Sequence, residues 1–293
     1  MLQLQYVIME STSRIIGIVI IIGLFFLLRW LYELNRGTGS SCDGCYSEMF
    51  LGCTSLTEAP ELPATVVAEW CYTSMFQGCT YLIKAPSILP AERLFERCYS
   101  SMFRDCENLI TAPKLPANYL ANYCYANMFH GCKSLPIAPE LPATTLTEEC
   151  YSHMFVACWS LTKVPNLPAT ELADYCYDCM FSGCTGLTSA PALPAIELAY
   201  GCYSGMFYGC TGLTKAPVLP ATKLAEKCYY KMFSGCTNLN YVKALFTDEP
   251  SESTTRDWLS GVSSTGTFVK SKEAKWDVRG DSGVPYGWTV VTE

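Results

Sequence analysis

Histidine is nearly absent: the chain of 293 residues has two, His130 and His153. That scarcity removes most routes to imidazole acid–base catalysis and to zinc sites built on histidine. An excess of positive charge is missing too. Lysine and arginine number 20 against 27 aspartates and glutamates, for a formal charge of −7. No basic surface is offered to a phosphate backbone, so nucleic acid is not an expected partner. Outside the internal repeat there is no nucleophile, acid pair or phosphate-binding loop, so no catalytic residue, metal ligand or cofactor is expected. Cysteine is plentiful without being dense. Eighteen in a chain this long fall below the roughly 8–10% that marks a small disulfide scaffold, and the count alone does not settle the redox compartment. Half the residues are apolar, enough for a sizeable core and for one or two domains.

The first forty residues stand apart. Ile15 to Leu28 reads IIGIVIIIGLFFLL between Arg14 and Arg29, with Trp30, Leu31 and Tyr32 directly behind. As a helix this run rises about 21 Å, and continuing to Leu34 gives an adequate span with an aromatic pair at the interface. The reading predicts an N-terminal segment over 1–14, a transmembrane anchor over 15–34 and a linker over 35–44. A cleaved signal peptide competes, but no small-x-small pattern follows closely. A lipoprotein reading through Cys42 is disfavoured by the polar stretch from Glu33 to Ser41. Arg14 lies before the segment and Arg29 and Arg36 after it, a basic count that mildly favours the repeats lying inside the cell, by a margin of one residue that decides little.

The dominant feature is a repeat. A Cys-Tyr dipeptide begins at 45, 71, 98, 124, 150, 176, 202 and 228, a period of 26 residues and once of 27. Each copy continues through Met-Phe to a second cysteine eight positions after the first and a leucine three positions later, from Leu56 to Leu239. Seven copies then pass a proline to reach Leu-Pro-Ala, and the eighth breaks at Tyr241-Val242-Lys243. The single extra residue, Ser87-Ile88 in APSILP, implies a loop or bulge. Over Thr222 to Gly235, Leu224, Cys228 and Met232 form an i, i+4, i+8 row beside Ala225, Tyr229 and Phe233. That pattern predicts an amphipathic helix. Thr65, Asn118, Thr144, Thr170 and Thr222 stand where an N-cap is wanted, and a glycine before the second cysteine stands where a left-handed residue would end the helix. The remaining Leu-Thr-x-Ala-Pro suits a short strand. One repeat buries too little to offset its own ordering entropy, so neighbours must stack. The expected fold class is α/β: a leucine-rich-repeat-like solenoid of eight ~26-residue repeats, each a short strand plus a helix, over 45–246. A C-terminal cap over 247–293 would bury Trp276 and Trp288.

The run MFxGCxxLxxAP, as in Met206-Phe207-Tyr208-Gly209-Cys210-Thr211-Gly212-Leu213, resembles the AFxxCxxLxxI core of the BspA-type bacterial surface leucine-rich repeats. The likeness covers about Cys45 to Leu245. The unit here is longer than the family's commoner one, and alanine replaces the expected isoleucine. The tail from Asp257 looks like the segment that often closes such arrays. The resemblance implies surface-exposed adhesion or ligand binding and no enzyme activity.

Other constellations are weaker. Two cysteines within one helical repeat would lie about 12 Å apart, too far to bridge. Equivalent cysteines in adjacent layers leave two readings open, a ladder of bridges or free thiols packed as small hydrophobes. Cys42-x-x-Cys45 and Cys176-x-x-Cys179 have spacing used in metal binding or thiol exchange, but Cys45 and Cys176 already belong to the repeat. Arg279-Gly280-Asp281 is an integrin-type tripeptide that chance explains better. His130 and His153 read as surface residues, and the repeat tyrosines as core. A ligand face is expected where repeats vary on the strand side: Glu58, Lys84, Thr111, Ile137, Lys163, Ser189 and Lys215, with Glu61, Lys114, Glu140 and Asn166 close by. Mixed charge there suits a protein or a neutral glycan. The expected function is that of a membrane-anchored surface protein mediating adhesion or protein or glycan binding, its repeats facing the envelope or the exterior. The alternative is a structural or assembly scaffold without a dedicated ligand.

Overall fold

The computed structural model describes residues 43–293, and the expected anchor over 15–34 lies outside them. Among the described residues no helix is long and apolar enough to cross a membrane. They contain no helix at all, which overturns the strand-plus-helix repeat: the fold is a parallel β-solenoid.

The segment read as a helix is a train of overlapping turns. In the coil that starts at Cys71, Thr73 donates its N–H to Trp70 O (3.1 Å), Met75 to Tyr72 O (3.2 Å), Gln77 to Ser74 O (3.1 Å) and Cys79 to Phe76 O (3.1 Å). The intervening residues turn the other way and donate to the next coil: Tyr72 to Cys98 O, Ser74 to Ser100 O and Phe76 to Met102 O, each at 2.9 Å. Every main-chain N–H along this stretch thus has a partner, as a buried backbone requires. The same alternation runs from Gly44, bonded to Glu69 O, to Gly235, bonded to Ser260 O. To sustain it, every fourth residue takes a left-handed conformation. In this coil these are Trp70 (φ 59°), Ser74 (φ 53°) and Gly78 (φ 73°). A four-residue turn period places residues i, i+4 and i+8 on one side, so the rows that looked helical arise from a different backbone.

The strand side is shorter than a regular sheet. Strands β1 (Lys215–Leu219), β2 (Tyr241–Ala244), β3 (Gly266–Lys270) and β4 (Trp288–Thr292) pair in parallel in that order. Earlier coils meet through single parallel bridges, including Glu58 to Lys84, Lys84 to Thr111 and Ile137 to Lys163. Proline is the reason: it has no N–H for the ladder. In β1 the register shifts between Lys215 and Val218, across Pro217. The extra residue is absorbed between Lys84 and Ile88. Lys84 pairs 27 residues ahead with Thr111, whereas Ile88 pairs 26 ahead with Lys114.

The core is built of columns. The repeat tyrosines from Tyr46 to Tyr229 stack with centroids 5.3–6.1 Å apart. The phenylalanines from Phe50 to Phe233 stack at 5.3–5.7 Å. Each such pair is worth about 0.5–1.5 kcal/mol beyond its burial. The second cysteines form a third column, in which each thiol donates to the phenylalanine carbonyl of the preceding coil at 3.0–3.1 Å, from Cys79 on Phe50 to Cys236 on Phe207. Every cysteine from Cys79 to Cys236 is a free thiol, which settles the open question in favour of packed thiols over that range.

The tail adds a degenerate ninth coil. Tyr229 donates to Thr254 O and Phe233 to Trp258 O, as earlier coils do to cysteine and methionine carbonyls. Asp257 and Gly261 take the left-handed positions (φ 56° and 70°). Trp258 is fully buried and Trp276 and Trp288 are nearly so.

Candidate binding surface

All eight residues singled out on the strand side, Glu58, Glu61, Lys84, Thr111, Lys114, Glu140, Lys163 and Lys215, are exposed. The solenoid brings them into two columns, because a fixed period turns sequence spacing into vertical stacking. Glu58, Lys84 and Thr111 follow one another through paired backbones, Lys163 pairs with Ile137, and Lys215 opens β1 opposite Tyr241. Glu61, Lys114 and Glu140 stand three residues further along the coil, in the second column. Two members are engaged: Glu61 accepts from the Ser87 N–H (3.0 Å) and hydroxyl (2.8 Å), and the Lys215 ammonium lies 4.7 Å from the Tyr241 ring centroid. Among the described residues the side chains of Glu58, Lys84, Lys114, Glu140 and Lys163 enter no ion pair or hydrogen bond. On the same face, a shallow trough of about 430 Å³ between two coils is lined by Ser189, Ala192, Pro194, Lys215, Val218 and Pro220.

A second column escaped the sequence reading. It is formed by the residue before each first cysteine, and its signal was present as Trp70, Arg97, Tyr123, Glu149 and Tyr175 at the repeat period. The Arg97 guanidinium is sandwiched 4.8 Å from the Trp70 ring and 4.0 Å from the Tyr123 ring. The Tyr123 hydroxyl donates to Glu148 (3.2 Å). Further along, Tyr175 meets Tyr200 edge-on at 5.1 Å, and the Lys227 ammonium lies 5.1 Å from Tyr200. The Lys227 partner holds the Tyr200 hydroxyl below its ordinary range. These ring and cation contacts run from coil to coil, so the ribbon is a brace along the turn edge.

A third grouping joins residues the sequence had set aside. His153 Nδ1 lies 3.6 Å from Asp178 Oδ2 in the next coil, and the Cys179 thiol lies 3.7 Å from Asp178 Oδ1. Burial pushes the Asp178 carboxyl up, and pushes the Cys179 thiol up to about 12. Cys176, its C-x-x-C partner by spacing, is fully buried with its thiol turned to Cys202 O (4.0 Å). The two do not share an environment. The Arg279-Gly280-Asp281 arginine is committed to Trp288 O (3.1 Å) and to Asp277 (3.5 Å).

A constant interior of stacked aromatic, thiol and leucine columns under a variable exterior defines the class: a repeat scaffold of parallel coils. No protein-family model matches the chain, and no curated protein does. A solved structure of a leucine-rich repeat protein from Bacteroides ovatus is similar at 19% identity, over 84% of this chain and 77% of that one, with a TM-score of 0.34. An overlap that low carries no weight here, and the fold rests on the hydrogen bonds described above.

Proposed function

We propose that the solenoid is a non-catalytic recognition scaffold whose strand-side columns bind a protein or a neutral glycan. One observation carries the reading. Five charged side chains, Glu58, Lys84, Lys114, Glu140 and Lys163, stand exposed and uncommitted on a backbone whose coils are locked to their neighbours. Placing free charges on a pre-ordered frame lowers the ordering cost of binding. The mixture of both signs across the two columns disfavours a polyanion and favours a partner with both charges or with hydroxyls. The BspA-type likeness supports presentation of the array at the cell surface for adhesion, with membrane-side and soluble partners distinguished by experiment.

The test uses the full chain displayed on cells and, separately, purified on beads. Protease added outside intact cells should remove the repeats, and the beads should retain a component of a glycan array or a panel of extracellular proteins. Joint charge reversal at Lys84, Lys163 and Lys215 should weaken that retention more than tenfold, while Lys231→Glu on the turn edge should leave it unchanged. Equal loss in both would refute the strand-side face, and no retention at all would favour the assembly-scaffold alternative.

A further inference from the structure

We propose that His153, Asp178 and Cys179 form a binding site for one divalent transition ion of the zinc class, open to solvent at its fourth position. The repeat puts them together. His153 and Cys179 occupy the same left-handed position in successive coils (φ 57° and 51°), and Asp178 precedes Cys179. In extended backbone, adjacent residues point to opposite faces. Here the turn brings both side chains to the same neighbourhood as His153.

The distances fit. One ligand atom from each residue lies within 4.8 Å of the other two. His153 Nδ1 to Asp178 Oδ2 is 3.6 Å and Cys179 Sγ to Asp178 Oδ1 is 3.7 Å. A tetrahedral zinc with bonds of 2.0–2.3 Å separates its nitrogen, oxygen and sulfur ligands by about 3.3–3.7 Å. The donor set mixes imidazole, carboxylate and thiolate, which selects zinc and its neighbours over calcium or magnesium. Three protein ligands with an open place follow the pattern of reactive or bridging sites, not of closed structural ones.

The surroundings are consistent with a site. In the following coil the equivalent position is Gly205. A Cβ there would come 2.7 Å from Cys179 Sγ, so any other residue would displace the thiol. Ser204 and Glu149 lie beside Asp178, and Glu149 adds negative charge there. A hydroxyl beside a ligating carboxylate helps to orient it. The Ser152 hydroxyl lies 2.8 Å from His153 Nδ1 and must yield that nitrogen when an ion binds. Cys179 is also one of two cysteines outside the sixteen repeat positions, the other being Cys42. Its presence is therefore not demanded by the core.

The experiment titrates the reduced full chain with Co²⁺ as a spectroscopic probe and with Zn²⁺ in competition with a chromophoric chelator. One equivalent should bind, with a near-ultraviolet thiolate-to-cobalt band. The band should vanish in Cys179→Ser and persist in Cys42→Ser, while His153→Gln and Asp178→Asn should each weaken Zn²⁺ binding at least tenfold. Thermal unfolding of each variant checks that the solenoid is intact. A band that survives Cys179→Ser, the absence of any band at excess Co²⁺, or unchanged affinity in both His153→Gln and Asp178→Asn would overturn the site.

Discussion

At the scale of single residues, the interior is held by groups that differ in how well they are satisfied. The hydroxyls of Tyr125, Tyr151 and Tyr203 are buried and have no hydrogen-bond partner. A buried unpaired hydroxyl costs about 1–3 kcal/mol, so removing it relieves a penalty without opening a cavity. Tyr151→Phe should therefore be neutral or raise stability by about 1 kcal/mol in urea unfolding, and a loss of 2 kcal/mol would show that the hydroxyl has a partner. The thiols behave in the opposite way. Burial pushes Cys79, Cys98, Cys150 and Cys236 up from 9.0 to about 12. A thiol whose folded value is raised favours the native state fully below pH 9 and loses that contribution as pH climbs toward 12, at about 1.4 kcal/mol per pH unit for each group. The melting temperature should be flat to about pH 8.5 and fall steeply above it. A melting temperature unchanged between pH 8 and pH 11 would contradict the burial of these thiols.

At the scale of the element, the turn train explains both what was legible and what was not. Period, the strand-side columns and the position of the bulge at Ser87-Ile88 all followed from spacing, because a solenoid converts spacing directly into neighbours; the ninth coil did not, since the tail keeps none of the repeat's cysteines. The left-handed glycines before the second cysteine were also legible, as at Gly78 and Gly235. The helix was not refutable from the pattern, since turns with a period of four residues reproduce the i, i+4 rows of Leu224, Cys228 and Met232. The missing cue was the residue at the other left-handed positions: Trp70, Arg97, Tyr123 and Lys231 are types that avoid that region. Nor was the His153, Asp178 and Cys179 grouping visible, because it joins two coils through residues of no repeated type. A left-handed conformation costs a residue with a side chain roughly 1–2 kcal/mol relative to glycine. Gly78→Ala, which has room for its methyl 3.6 Å from Gly52, should thus destabilise by about 1 kcal/mol through backbone strain alone. Lys231→Gly (φ 51°) should stabilise by a similar amount, and paired urea titrations giving the reverse signs would remove the turn assignment.

At the scale of the whole molecule, each coil touches only its neighbours, so length is adjustable and ends are not. Excising residues 124–149, a single unit of 26 residues, rejoins Tyr123 to Cys150 in register. The shortened chain should fold with a melting temperature lower by a few degrees, as nearest-neighbour stacking predicts. Truncation before Thr254 is different. It uncovers Tyr229 and Phe246, which pack on Trp258, and strips the partner from the parallel edge of β2. Exposed edges template association, so size-exclusion chromatography should find this variant aggregated while the internal deletion stays monodisperse.

The hydrogen bonds that tie one coil to the next also determine how the array yields to tension. Because they lie along the stacking direction, a pull on its two ends loads them one layer at a time instead of shearing many together. Peeling away a unit of 26 residues would pay out roughly 85–95 Å of chain. A molecule stretched in this way gives ground in equal steps at modest force, and each released layer leaves the remainder with a fresh but identical end.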